Sequence, residues 1–353
     1  MMNKTLIDKL NADSRLEFDE YYQLLSTYCD DDFEYAKKLA RTITDEIFDN
    51  KIYIRGLIEI SSYCKNDCYY CGIRRNNSKA LRYRLSKDEI LSCCKEGYRL
   101  GLKTFVLQGG EDLYYNDKLM VEIIESIRTL YPDCAITLSL GEKSKETYQK
   151  YFNAGANRYL LRHETYNKDH YYLLHPTNMS FENRISCLHY LKEIGYQTGC
   201  GFMVGSYGQK VEHLVNDLMF IAEFKPEMVG IGPYLVHHQT PFFNQKNGDL
   251  RLTLFLLSLL RIMLKDVLLP ATTALASLDK QGRILGIEHG CNVIMPNLSP
   301  STVRKKYSLY DHKAATGLEA VEGLNNLINT FNQAGYEIVF ERGDYCKWIK
   351  KKG

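Results

Sequence analysis

The chain has 353 residues, 45% of them hydrophobic and 25% charged, with a formal net charge of +2. That length is enough to bury a sizeable core, and the composition is globular rather than disordered. The near-neutral balance offers no basic surface for nucleic acid and no acidic, solvating tail.

Residues 1 to 8 hold no apolar stretch and no small-residue cleavage site, so no secretory leader is expected. Residues 1–50 read as a helical extension, because Phe18, Tyr21, Tyr22, Leu25, Ala36, Leu39 and Ala40 recur at three- and four-residue spacing. From there the pattern alternates between strand and helix. Strands are expected near 54–60, 104–108, 135–140, 157–163, 198–204, 228–231, 268–272 and 291–295. Helices are expected between them at 87–100, 117–130, 144–154, 181–194, 209–224 and 252–265. The last of these contains the greasiest stretch, but Ser258 and Arg261 interrupt it and it is too short to span a bilayer. A cytoplasmic, membrane-free protein is expected, in which the 11 cysteines stay reduced. Cys93 and Cys94 are adjacent on a helix and are not expected to face the core together.

Eight strand–helix units over about 250 residues match the size of a closed (β/α)8 TIM barrel, spanning 51–310. Residues 311–353 would form a C-terminal helix and tail packed on it. An open doubly wound sheet shares the rhythm, but no G-x-G-x-x-G turn follows any strand.

Side chains alternate across a strand, and in a barrel the outer face must be apolar. The opposite faces here carry Arg55, Leu57 and Glu59 on the first strand and Thr137 and Ser139 on the third. On the fourth they carry Arg158, Leu160, Arg162 and Glu164. Buried charges of this kind need partners. Either Arg55–Glu59 and Arg162–Glu164 are internal ion pairs, or the lumen is a wet cavity for a polar or metal-bearing ligand. Met228 and Met295 would add soft apolar lining.

Cys64, Cys68 and Cys71 form CxxxCxxC immediately after the first strand. Three thiolates are one short of closing a tetrahedral zinc site or of ligating all four irons of a cubane, and no second CxxC or histidine pair lies nearby. An iron left open is a place for chemistry.

CxxxCx(aromatic)C at this position resembles the radical S-adenosylmethionine (SAM) superfamily. Gln108-Gly109-Gly110-Glu111 is similar to its "GGE" segment. Segments 54–61, 106–112, 137–142, 158–165, 180–184, 228–233, 270–274 and 292–297 together resemble the HydE family of FeFe-hydrogenase maturases. The resemblance implies a TIM barrel of radical SAM type with one 4Fe–4S cluster on Cys64, Cys68 and Cys71. SAM would be cleaved reductively to a 5′-deoxyadenosyl radical. It implies that Tyr70 lies beside the adenine, that the backbone of Gly109, Gly110 and Glu111 takes the SAM amino group, and that Glu164 bonds the ribose. Arg184 would clamp the carboxylate, with Thr137, Ser139 and Tyr307 completing the pocket. Gln108, Arg158, Thr273, Met228 and Met295 would line the substrate chamber. The implied substrate is a small-molecule or organometallic species, an iron bearing CO, cyanide and cysteine. The implied partners are other hydrogenase maturases and an electron donor. Some members carry a second cluster on three cysteines after the last strand. Residues 310–317 have none, so a single cluster is expected.

Within the same superfamily, a methylornithine synthase-like mutase acting on lysine is the main alternative. Biotin synthase fits less well, since Cys200 stands alone on its strand. A non-enzymatic iron–sulfur carrier would need none of the SAM-contacting residues.

Overall fold

The computed structural model describes residues 2–314 and 320–348. Three helices come first: α1 (Met2–Asp13), α2 (Phe18–Thr27) and α3 (Asp30–Phe48). The starts of α2 and α3 are set locally, because Glu20 and Asp32 fold back onto the amides of Glu17 and Cys29. The first strand of the alternating region follows as β1 (Lys51–Ile54) and β2 (Gly56–Ser61), broken only at Arg55. Next come α4 (Lys87–Arg99), β3 (Thr104–Gly109), α5 (Asp117–Leu130), β4 (Ala135–Ser139), α6 (Lys145–Asn153) and β5 (Arg158–Leu160). The chain continues through α7 (Lys168–Leu174), α8 (Phe181–Ile194), β6 (Gln197–Cys200), β7 (Met203–Val204), α9 (Val211–Phe224), β8 (Met228–Val229) and β9 (Gly232–Pro233). It ends with α10 (Leu250–Met263), α11 (Thr273–Leu278), α12 (Gly282–Glu288), β10 (Val293–Ile294), α13 (Ser301–Arg304), α14 (Ala320–Gln333) and β11 (Glu337–Val339).

Helix starts follow side-chain chemistry. Ser86, Asn116, Ser144, Asn167, Ser180 and Asp249 each accept the amide three residues on, a cap worth about 1 kcal/mol. No described helix is long and apolar enough to cross a membrane.

β2, β3, β4, β5, β6 and β8 pair in that order as a parallel sheet. Isolated parallel bridges join Met228 to Leu268 and Pro270 to Val293. β10 pairs in parallel with β1, and Leu57 bridges Asn297. The carboxyl ends of these strands therefore all point one way, where an α/β fold places its site.

The N-terminal helices pack on the flank, with α3 along α10. Tyr21 donates to Met263 Sδ (3.2 Å), and Tyr28 stacks on Phe255 at 4.2 Å. This cover explains why α10 is apolar nearly all round. Arg261, fully buried within it, donates to the carbonyls of Gly290 (2.9 Å) and Lys265 (2.8 Å). Cys93 and Cys94 are both buried, against expectation, because α4 is covered on two sides: Cys94 faces Cys134, while Cys93 lies near Tyr83 and Arg304.

The floor is closed by the tail. β11 pairs beside β1, and residues 342–345 turn beneath the sheet. There Asp344 Oδ1 takes the Arg158 guanidinium at 2.6 Å and the Gln197 amide at 2.7 Å. Arg158 also donates to Thr104 Oγ1 (3.1 Å) and to the Arg342 carbonyl (2.8 Å). Arg55 Nη2 reaches the Gly343 carbonyl at 3.3 Å. The Arg55–Glu59 pair that one reading of the strand allowed is not formed among the described residues, since four residues of strand separate the two by about 13 Å.

Burial alone would raise the Asp344 carboxyl. The Arg158 charge and hydrogen bonds from Arg342 and Gln197 outweigh it and hold the group at about 2. A carboxyl depressed from 3.8 to about 2 stabilises the fold above its unfolded value, and that gain is lost as pH falls toward 2. Urea unfolding should therefore show the wild type ahead of Asp344→Asn by roughly 2 kcal/mol near pH 6, the gap closing between pH of about 4 and 2. A gap independent of pH would exclude this ion pair as its source.

Candidate functional site

The cysteine loop leaves β2 at the mouth of the sheet and is pinned from several elements. The amide of Lys65 donates to the Glu111 carbonyl (2.9 Å), that of Tyr69 to Leu174 (3.0 Å) and that of Gly72 to Leu309 (2.9 Å). Inside the loop, Arg82 donates to the carbonyls of Ser62 (2.5 Å), Ile73 (2.8 Å), Arg74 (2.7 Å) and Asn77 (3.2 Å). One guanidinium thus holds the loop's curvature.

Cys64, Cys68 and Cys71 are free thiols that line a single cavity of about 340 Å³. Burial pushes all three thiols up, Cys71 to about 12; Cys68 is raised further by Cys71 and Cys64, and Cys71 by Cys64. Three half-buried thiols that resist ionisation singly are what a cationic metal centre would convert to thiolates. Gly110 lets this loop come close: a Cβ there would lie 2.1 Å from the Tyr63 carbonyl oxygen and 2.8 Å from Cys64 Cβ.

The rest of the wall is charged. Glu111, 6% exposed, accepts the Glu142 amide at 3.0 Å and stands 3.1 Å from Lys65 Nζ. Glu164 lies 3.1 Å from Arg162 Nη2, so that ion pair is present as one reading of the sequence anticipated. Arg184, on the first turn of α8, is buried rather than a surface charge, with Nε 2.7 Å from Glu142 Oε1. These ion-pair contacts are out of line for hydrogen bonds, leaving Glu111 Oε2, Glu164 Oε2, Arg162 Nη2 and Arg184 Nε without aligned partners. A zwitterionic ligand would satisfy such groups, so the chain's residues fit both a three-thiolate cluster and SAM. Glu164 has a left-handed backbone (φ +67°), which costs a non-glycine residue about 1 kcal/mol or more.

Tyr70, Gln108, Gly109, Gly110, Ser139, Thr273, Met295 and Tyr307 share this cavity. Tyr70 OH lies 3.2 Å from His175 Nε2, and Gln108 Nε2 donates to Tyr307 OH at 3.3 Å. Three expected residues lie elsewhere. Thr137 is one layer below Ser139, two residues back on the same strand face. Arg158 belongs to the floor, bound to Asp344. Met228 packs beside Leu268 and Val293, 3.3 Å from Arg55 Nη1.

Two cavity residues escaped the sequence reading of the site. Glu59, 1% exposed, takes Asn297 Nδ2 at 2.9 Å and is ion-paired to Lys313, which also donates to the Tyr307 carbonyl at 3.1 Å. Strand alternation placed Glu59 inside, but nothing local announces a lysine arriving from residue 313. The stretch searched for a second cluster runs onto 315–319, outside the described residues.

His237, His238 and Asp311 also converge. Asp311 accepts from His238 Nδ1 (2.7 Å) and the His238 amide (2.8 Å). His237 Nδ1 accepts the Gln239 amide at 3.0 Å, which leaves the ring's proton on Nε2 facing Ser308 Oγ (3.3 Å). A proton occupies the position a metal would need, so this trio clasps the 308–313 strap to the loop after β9.

Because a Cβ at 110 must displace backbone, Gly110→Ala should destabilise by about 1–3 kcal/mol and lower the iron retained after anaerobic reconstitution. Unchanged iron content would show that this contact does not position Cys64.

Residues 58–221 match the radical SAM superfamily. The chain is 46% identical over 276 residues to the [FeFe] hydrogenase maturase subunit HydE of Thermotoga maritima, covering 78% of each protein. It is 28% identical to 3-methylornithine synthase of Methanosarcina acetivorans, over 86% of each. A crystal structure of methylornithine synthase superimposes with a TM-score of 0.81 at 26% identity, covering 95% of this chain and 97% of that one. A 46% identity sustained over that length, in a chain whose residues 58–221 match the radical SAM superfamily, places it in the HydE family of radical SAM enzymes.

Proposed function

We propose that this enzyme acts in FeFe-hydrogenase maturation, using one 4Fe–4S cluster and SAM. The observation that carries the reading is the convergence of three thiols with Glu111, Glu164 and Arg184 on one cavity, in a chain 46% identical to a hydrogenase maturase. Cys64, Cys68 and Cys71 would hold three irons and leave the fourth open. When bound, the reduced cluster supplies an electron that cleaves SAM to methionine and a 5′-deoxyadenosyl radical.

The chain's own residues bind, orient and shield. Backbone groups of Gly109, Gly110 and Glu111 take the SAM amino group, Arg184 the carboxylate and Glu164 the ribose, with Tyr70 beside the adenine. Arg184 is pre-aimed by Glu142, so little rotamer freedom is lost on binding. Ser139 and Tyr307 complete this pocket, and Thr137 supports it from beneath. Gln108, Thr273 and Met295 line the chamber for an iron species bearing CO, cyanide and cysteine, joined by Glu59 and Lys313. The parallel bridges are read as closing eight strands into a barrel, with residues 1–50 and 311–353 as extensions of one catalytic unit. Other hydrogenase maturases and an electron donor would be its partners, in the cytoplasm.

A lysine mutase is the second reading, favoured by the fold match to methylornithine synthase.

Anaerobically reconstituted protein given dithionite and SAM should form 5′-deoxyadenosine, and Cys68→Ala should form none. Hydrogenase matured without this chain should be inactive, and lysine should not stimulate SAM cleavage. No 5′-deoxyadenosine from intact protein would end the enzymatic reading, while a rearranged product from lysine would favour the mutase.

A further inference from the structure

Glu164 is aimed by side chains that do not line the cavity themselves. We propose that His163 and Asp217 are positioning residues for the Glu164 carboxylate and thereby set the affinity of the site for SAM; this rests on the reading of Glu164 as a SAM contact.

Both residues are 0% exposed. His163 Nε2 donates to Asp217 Oδ1 at 3.1 Å, and its Nδ1 accepts the Gly201 amide at 3.3 Å. With both ring nitrogens engaged, the imidazole has one tautomer and one orientation. Asp217 Oδ1 also accepts the Tyr166 amide at 2.5 Å. Residues 163 and 166, on either side of Glu164, are thus tied to a single oxygen on α9.

Phe220, three residues along the same helix, makes a second anchor. It stacks on Tyr166 at 4.2 Å and meets the His163 ring edge-on at 5.0 Å. Glu164 itself donates its amide to the Gly201 carbonyl at 3.0 Å, and its carbonyl accepts from Met203 at 3.3 Å. The residue between these ties is the one with φ +67°. A left-handed non-glycine backbone persists only where its surroundings over-determine it. Released from Asp217, the 163–166 segment would relax toward ordinary backbone and swing the carboxylate away from the cavity. The burial that sets Asp217 apart also raises its carboxyl well above the usual range. Such a group is expensive to keep for packing alone.

The test uses the full chain with its cluster reconstituted, titrating SAM into reduced protein and following the cluster's electron paramagnetic resonance signal. Asp217→Ala and His163→Ala should each weaken SAM binding by roughly ten- to hundredfold, raising KM for SAM more than they lower kcat. Iron content should stay unchanged. Asp217→Asn keeps an accepting oxygen and should recover most of the affinity. In unloaded protein, Asp217→Ala should speed hydrogen exchange at the Tyr166 amide. Losses in the Glu164→Ala/Asp217→Ala double variant should not add, since nothing remains to be positioned. If Glu164→Ala alone leaves SAM affinity intact, the reading of Glu164 fails. If Glu164→Ala weakens binding while the Asp217 and His163 variants lose only thermal stability, the positioning inference is overturned. Should Asp217→Ala fail to fold, His163→Gln decides: a SAM affinity equal to wild type overturns the proposal.

Discussion

Close approach of the cysteine loop to the backbone of Gly110 is the constraint around which the mouth of the sheet is built. No side chain fits between residue 110 and the Tyr63 carbonyl. That approach brings Cys64 against the end of β3 and keeps three thiols within one enclosed cavity, where burial opposes their ionisation. A site of this kind is stable as thiols and becomes a set of thiolates only around positive charge. The neighbouring carboxylates and guanidiniums follow the same logic. Glu111, Glu164, Arg162 and Arg184 stand at ion-pair distance from opposite charges yet out of hydrogen-bonding line. Hydrogen-bonding capacity is thus left over at Glu111 Oε2, Glu164 Oε2, Arg162 Nη2 and Arg184 Nε.

Buried charge in the lumen is sorted by height. Near the mouth, Glu59 meets Lys313 and Asn297. On the floor, Arg158 and Arg55 meet groups of the tail, Asp344 and the Gly343 carbonyl. Glu59 in the upper layer and Arg158 in the lower each meet an opposite charge, as buried ions require. The two charged partners, Lys313 and Asp344, arrive from beyond residue 310, so the C-terminal segment serves the sheet at both ends: a strap above, clasped by His238 and Asp311, and a plug below.

This division separates two kinds of arginine that look alike along a strand. Arg158 and Arg162 share a face by alternation, but only Arg162 stands in the cavity beside Glu164. Arg158 is fully neutralised beneath it. The same depth effect removes Met228 and Thr137 from the chamber while leaving Met295 and Ser139 inside. In this chain the chamber is therefore lined by the upper layer of side chains.

Local signals decided much of this by themselves. Capping side chains and three- to four-residue periodicity defined the helices, two of which, 117–130 and 181–194, begin and end where the pattern does. Alternation identified which strand side chains face inward, and cysteine spacing with Gly109-Gly110 marked the site, because these depend on neighbours a few residues apart. The short helices 168–174, 273–278 and 282–288 were not read, since six or seven residues carry too little periodicity. Depth within the lumen, the Glu59–Lys313 pair, the Asp344 plug, the flank position of α1–α3 and the His163–Asp217 clamp came only from tertiary structure. Each joins residues far apart in the chain, and what a buried charge meets is settled by which distant segment folds over it.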